Sequence, residues 1–343
     1  MGWITAKYSK KAVRRAGETL VSNSSTEQER SDSMDILSNW RSAHAYPMHA
    51  VLIFLRTKSA KIDSNSIVVQ RLKRTPSILA KLVRYSGMKL DRMQDISGCR
   101  SVVSNVSKTR ELRNSIVNSR TRHILHREDD YITNPKPSGY RSIHLVYKYN
   151  GEKNAYQNYF VEIQLRSKIQ HAWATAVEVV DHFTKQALKA SQGKKDWLDF
   201  FKFVSPEFAK LERCPPGEQF EGIDTLSEVL RLEKKLNAIA RLNAFTVSTH
   251  YIAKKTDRKS DYFLLELQEN AQHITVTQFA PDQLSLATAE YLDCEKQAKQ
   301  KSDYDVVLVS ASSMHGLRAA YPNYFADSKE FIRLMHRVIR SKG

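Results

Sequence analysis

The chain has 343 residues, 41% of them hydrophobic, which is enough for two domains or for one large domain with an appendage. Its formal charge is +17, and residues 1–130 hold 24 Lys/Arg against 12 Asp/Glu, so a polyanion or a phosphate-rich small substrate would meet the amino-terminal part. No run reaches the roughly 18 apolar residues of a membrane span, the amino terminus lacks a signal-peptide core, and Cys99, Cys214 and Cys294 form no CxxC pair; neither a cysteine zinc site nor a disulfide framework is indicated, and the cytoplasm is the expected location.

Residues 7–22 read as a basic helix, with Lys7, Lys10, Lys11, Arg14 and Arg15 clustered within about two turns. A polar loop is expected at 22–33, then helices at 33–60 and 64–86, the second with Ser77 capping a new turn after Pro76. Strand patterns fall at 97–104, 140–149 and 158–166, separated by a helix near 107–120 and by a Pro/Gly loop. A long helix follows at 167–188. This predicts a mixed α/β domain over 1–213, with Pro215-Pro216-Gly217 as the boundary. Residues 214–241 read as a linker and an amphipathic connecting helix. The remainder, 242–343, reads as a small α+β module with strands at 245–253, 262–267, 274–279 and 306–309 and helices at 281–299, 312–319 and 326–341.

The run Asp130-Tyr131-Ile132-Thr133-Asn134-Pro135-Lys136-Pro137-Ser138-Gly139-Tyr140-Arg141-Ser142-Ile143-His144 sets a turn-forming, cation-bearing loop against a strand with an aromatic and a histidine. That layout suits a base and its phosphates. In the strand that contains Glu162, Gln164 and Arg166, alternation puts these three on one face and Val161, Ile163 and Leu165 on the other. Asp95 lies at the start of the strand at 97–104. An Asp and a Glu from neighbouring strands suffice for magnesium, which keeps waters and takes substrate phosphates. On a straight strand Asp95 and Arg100 point to opposite faces, so both serve one site only if Gly98 bends the strand or Asp95 belongs to the preceding loop.

Taken together, Arg71-Leu72-Lys73 with Ser77-Ile78, Asp95 with Gly98 and Arg100, Asp130-Tyr131-Ile132, Pro135-Lys136, Gly139-Tyr140-Arg141-Ser142-Ile143-His144, Glu162-Ile163-Gln164-Leu165-Arg166 and His171-Ala172-Trp173-Ala174 resemble the RelA/SpoT synthetase family in order and spacing. The resemblance covers about residues 64–182. It implies a mixed-sheet domain that transfers the β,γ-pyrophosphate of ATP to a ribose 3′-hydroxyl, with Mg²⁺. Asp95 and Glu162 would be the catalytic and metal-binding carboxylates, Glu162 also activating the hydroxyl. Arg71 and Arg100 would sandwich adenine, and Lys73 and Arg166 would neutralise ATP phosphates. Lys136, Tyr140, Arg141, His144 and Gln164 would meet the acceptor. No His-Asp dipeptide occurs, so alarmone hydrolysis is not expected.

The acceptor is left open between GDP or GTP and the 3′-terminal adenosine of tRNA; the basic cluster Lys7, Lys10, Lys11, Arg14 and Arg15 favours the tRNA. Tyr321 and Tyr324 form a Tyr-x-x-Tyr element that resembles the fused antitoxin region of CapRel-type toxin-antitoxin proteins. That resemblance implies a zinc-finger-like, metal-free module whose two tyrosines block the adenine site until a phage structural protein such as a capsid protein releases them, in a monomer. The same two tyrosines also read as ordinary core aromatics ahead of a capped helix.

Overall fold

Ser9 starts the first helix, α1 (Lys10–Val21), by accepting the Ala12 N–H on its hydroxyl. The structure is a computed structural model that describes residues 3–186, 193–244, 246, 262–268, 273–298, 304–310 and 324–340. A capping box of Thr26 and Glu29 opens α2 (Glu27–Ala43) inside the stretch expected to be a loop. The single helix predicted over 33–60 is divided at His44, where α2 ends and α3 (Ala45–Ile62) begins with Pro47 in its first turn, a place that needs no proline N–H.

The predicted helix over 64–86 is a strand followed by a helix. Ile67, Val68 and Val69 are β-branched and lie in β1 (Ile67–Leu72), which pairs antiparallel with β2 (Ser97–Val103); Pro76 then sits in the first turn of α4 (Thr75–Arg84). After α5 (Val106–Val117) comes β3 (Ile124–Asp130), a strand that sequence reading missed. Its Ile-Leu-His-Arg-Glu-Asp-Asp sequence is poor in strand formers. The Arg113 guanidinium bonds Glu128 at 2.6 Å and Arg110 bonds Asp130 at 3.0 Å, so α5 neutralises the acidic strand. Next come β4 (Ile143–Lys148), β5 (Phe160–Ser167) and α6 (Lys168–Gln186).

These strands make a five-stranded sheet of order β1-β2-β5-β4-β3, in which β2 and β5 run parallel and the other pairs antiparallel. The face carrying Cys99, Ser101, Val161, Ile163, Leu165, Leu145 and Tyr147 is buried. Helix α3 is tied to it by a 2.8 Å bond between the Ser59 and Ser101 hydroxyls. Asp63, the C-cap of α3, accepts the N–H and hydroxyl of Ser104 after β2.

Among the described residues the chain separates into two compact units: Met1–Ile132 with Ser142–Lys168, and Thr133–Arg141 with Ile169–Gly343. The second unit therefore includes helices that sequence punctuation assigned to the first domain. Its core joins Trp173, Phe200 and Phe208, from α6 and α7 (Gly193–Leu211), to Leu232 of α8 (Thr225–Leu236) and to Phe331 and Leu334 of α10 (Tyr324–Arg340). Cores form by packing, and these helices share one on both sides of Pro215-Pro216-Gly217. A three-stranded antiparallel sheet, order β7-β6-β8, consists of β6 (Tyr262–Gln268), β7 (His273–Phe279) and β8 (Tyr304–Ser310); Leu264, Phe279 and Leu308 pack there with Ala287 and Tyr291 of α9 (Leu284–Ala298). The strand expected at 245–253 falls almost wholly outside the described residues, and the helix at 312–319 does so entirely.

His44 is 2% exposed, wedged against the Trp40 and Tyr159 rings, and burial pushes its imidazole down to about 4. The folded ring is neutral while the unfolded chain binds the proton. Stability is therefore complete above about pH 6.5 and declines toward pH 4, by about 3 kcal/mol for a shift of this size. Urea unfolding at pH 7 and pH 4.5 should show that decline in the wild type and a shallower one in His44→Leu.

Candidate active site

Strand register places the chemistry. Directly opposed residues share a face, and one row across the first unit's sheet reads Arg71, Gly98, Glu162, Val146 and Arg127; the next reads Val69, Arg100, Gln164, His144 and Asp129. Glu162, Gln164 and Arg166 thus lie on the face opposite the Val161, Ile163 and Leu165 core. The residue facing Glu162 on β2 is a glycine, and a Cβ there would approach the Glu162 carbonyl oxygen to 3.3 Å.

Glu162 is the centre of a bonded chain. Its Oε1 lies 2.9 Å from His144 Nδ1, and its Oε2 accepts the Gln164 amide at 2.8 Å. The Gln164 carbonyl oxygen accepts Arg100 Nε and Arg166 Nη2, each at 3.2 Å. The amide orientation follows, since its oxygen meets two cations and its nitrogen a carboxylate. Burial raises the Glu162 carboxyl, but the His144 and Gln164 bonds and the Lys81 charge outweigh it and hold the group at about 2. Tyr131 lies edge-on to His144, with ring centroids 5.2 Å apart.

Asp95 sits in the turn before β2, so the loop alternative applies and no bend at Gly98 is needed. Its two oxygens take Lys73 at 3.0 Å and Lys81 at 2.8 Å. Lys73 is fixed by its backbone: its N–H donates to Ile96 at 2.7 Å and its carbonyl accepts from Arg41 at 2.7 Å. Lys81, which also acts on Glu162, was not found from the sequence. In one continuous helix, Lys73 and Lys81 would be about 12 Å apart along the axis; the turn from β1 into α4 brings both to one carboxylate.

Two half-buried carboxylates with hard oxygen donors fit magnesium that completes its shell with water and phosphate, and Asp95 and Glu162 are the residues that would hold it. Arg71 is exposed on β1 and Arg100 half-buried on β2, two residues apart along the sheet rows.

The remaining candidates belong to other elements. Lys136 and Tyr140 belong to the second unit, and Tyr140 precedes β4 rather than opening it. The Lys136 ammonium lies 5.2 Å from the centre of the Tyr140 ring, and the Tyr140 and Trp173 ring centroids are 6.4 Å apart at a steep angle. Arg141 is 5% exposed and donates from Nε to Ser205 at 3.2 Å and from Nη2 to the Pro216 carbonyl, so its guanidinium holds the chain rather than offering itself to an acceptor. In the basic cluster Lys7, Lys10, Lys11 and Arg15 are exposed, whereas Arg14 pairs with the buried Asp91 at 2.8 Å and anchors α1. Tyr321 lies outside the described residues. Tyr324 begins α10, with its side chain outside them.

Residues 70–184 match the family described as the region found in RelA / SpoT proteins. That match is confined to about a third of the chain. GTP pyrophosphokinase YjbM of Bacillus subtilis is 36% identical over 115 residues, 32% of this chain and 52% of that protein. A GTP pyrophosphokinase of Escherichia coli K12 is 35% identical over 104 residues, 30% of this chain and 13% of its own. The chain thus spans about half the length of the first relative and far less of the second. Among solved structures, small alarmone synthetase 1 of Bacillus subtilis, bound to its product pppGpp, aligns at 25% identity over 51% of this chain and 94% of its own, with a TM-score of 0.42.

A carboxyl held low when folded adds stability that is complete above its unfolded value of about 4.5 and is lost as pH falls toward about 2. Urea unfolding across that window should lose less stability in Glu162→Gln than in the wild type.

Proposed function

We propose that this protein is a pyrophosphotransferase that moves the β,γ-pyrophosphate of ATP to the 3′-hydroxyl of the terminal adenosine of tRNA and thereby blocks translation. The observation that carries the reaction class is the pairing of Asp95 with Lys73 and Lys81 beside the Glu162, Gln164, Arg100 and Arg166 network. Phosphoryl-type transfer asks mainly for positioning and charge stabilisation, and these groups supply bonded cations and two carboxylates.

In this reading Arg71 and Arg100 hold the adenine of ATP, and Lys73, Lys81 and Arg166 take up phosphate charge. Asp95 and Glu162 would hold magnesium, which would supply Lewis-acid stabilisation of the polyphosphate. Glu162 accepts a hydrogen bond from the 3′-hydroxyl and aims its oxygen at the β-phosphorus. The new O–Pβ bond forms as the bond from Pβ to the bridging oxygen on the α-phosphate breaks; AMP departs, and the hydroxyl proton passes through Glu162 to solvent. His144 keeps the Glu162 carboxylate in place through Nδ1. Lys136 and Tyr140 meet the acceptor, as a phosphate contact and a base-stacking face.

The exposed cations of α1 support the tRNA acceptor. A guanosine nucleotide as acceptor is the second reading, favoured by the relatives that are named GTP pyrophosphokinases. The carboxy-terminal region is read as a metal-free antitoxin module that restrains the enzyme through Tyr321 and Tyr324, with a phage structural protein as the release signal. The setting is the cytoplasm of a single-subunit enzyme; no described helix is long and apolar enough to cross a membrane.

Incubation with γ-labelled ATP and, separately, deacylated tRNA, GDP or GTP distinguishes the acceptors. Label is expected on tRNA, and label on guanosine nucleotide alone would refute that choice. Asp95→Asn and Glu162→Gln should each lower turnover by at least about a hundredfold without loss of fold by circular dichroism. Tyr321→Ala or Tyr324→Ala should raise activity in the absence of any trigger; unchanged activity would remove the restraint.

A further inference from the structure

Helix α7 contains Pro206 in its interior. A proline there has no N–H to give the carbonyl four residues earlier, which is that of Lys202. Gly139 of the 133–141 loop lies against that same point. A Cβ added to Gly139 would stand 3.2 Å from the Lys202 oxygen, 3.3 Å from Lys202 Cα and 2.7 Å from Ser205 Cβ, and its φ of +87° already disfavours any side chain. The Ser205 hydroxyl donates to the Gly139 carbonyl and accepts Arg141 Nε, so it bonds the loop on both sides of Tyr140.

A second contact grips the other end of the loop. Arg141 Nη2 donates to the Pro216 carbonyl, and the Gln219 amide nitrogen reaches the carbonyls of Pro135 at 3.4 Å and Lys136 at 3.3 Å. Gly217, at φ +104°, leaves room for the Pro135 ring, which a Cβ would meet at 2.6 Å. Two glycines in the left-handed region, a proline inside a helix and a buried arginine thus converge on nine residues of loop. Gly139 also closes the Lys136–Gly139 turn with its own N–H and Gly217 caps the turn that follows it, but Ser205 and Pro216 reach the loop from residues 66 and 75 positions away.

We propose that Ser205 and Gln219 are positioning residues: with Arg141 and the N–H missing at Pro206 they form a clasp that presets the pose of the 133–141 loop, and with it the Lys136–Tyr140 pair that receives the acceptor. The inference rests on the acceptor role of Lys136 and Tyr140. Its energetic content is preorganisation, because a loop already held in its bound pose loses less freedom when the acceptor arrives. The clasp therefore sets acceptor affinity and leaves the ATP side alone.

The test uses the full-length chain with Ser205→Ala, Gln219→Ala and Pro206→Ala, each compared with the wild type by hydrogen exchange and by steady-state kinetics. Amides of residues 136–141 should exchange about tenfold faster in Ser205→Ala and Gln219→Ala. The KM for whichever acceptor the wild type labels should rise about tenfold, with kcat at saturation and the KM for ATP changed less than about twofold. Loop exchange equal to wild type in both variants overturns the clasp itself. Faster exchange with unchanged acceptor KM overturns its positioning role, and so does a fall in kcat with both KM values unchanged, which would mark a general loss of folded enzyme. A wild type that labels no acceptor contradicts the proposed reaction but leaves the exchange result to decide the clasp. If Pro206→Ala, which restores the helical N–H, leaves loop exchange unaltered, the missing N–H of Pro206 is no part of it.

Discussion

The balance of two carboxylates against the cations around them is what the first unit's polar sheet face depends on. Glu162 loses hydration at its place on β5, a cost that would normally neutralise it, yet His144, Gln164 and Lys81 keep it ionised. Asp95 is matched in the same way by Lys73 and Lys81. Lys81 pairs with Asp95, and its charge also helps lower Glu162, so the two halves of the site share the field of one ammonium group. A substrate that brings phosphate to the lysines and a cation to the carboxylates exchanges one set of partners for another without leaving a buried charge alone.

The sheet makes this arrangement possible. Parallel pairing of β2 with β5 sets Gly98 opposite Glu162 and Arg100 opposite Gln164, and antiparallel β4 adds His144 beside Gln164. A one-residue slip in any pair would send a charged side chain into the apolar face. The Ile163, Leu165, Leu145 and Cys99 core on that other face is what fixes the register. Packing on one side of the sheet thereby specifies chemistry on the other.

Much of this was legible in the sequence. Period-2 alternation at 160–166 separated Glu162, Gln164 and Arg166 from the core without any structure, and the strand at 97–104 was evident from its β-branched residues. What failed did so for physical reasons. The apolar positions at 67, 72, 78, 79 and 82 fit a helical period as well as they fit a strand and then a helix, and only the tertiary pairing of β1 with β2 decides between them. That ambiguity hid Lys81. The acidic β3 has little strand propensity of its own and owes its place to Arg110 and Arg113 on α5. The contacts of Arg141 escaped the sequence because its partners, Ser205 and Pro216, are 64 and 75 residues away, and no local pattern reports such contacts.

A site built on shared charge should bind metal and nucleotide together, because each supplies what the other displaces. Electron paramagnetic resonance of Mn²⁺ with α,β-methylene ATP and the full-length chain measures this directly. The free Mn²⁺ signal should fall below that of nucleotide alone with the wild type, and the fall should vanish in both Asp95→Asn and Glu162→Gln. Equal depletion of the signal by the wild type and both variants would contradict the assignment of these two carboxylates as the centre of the site.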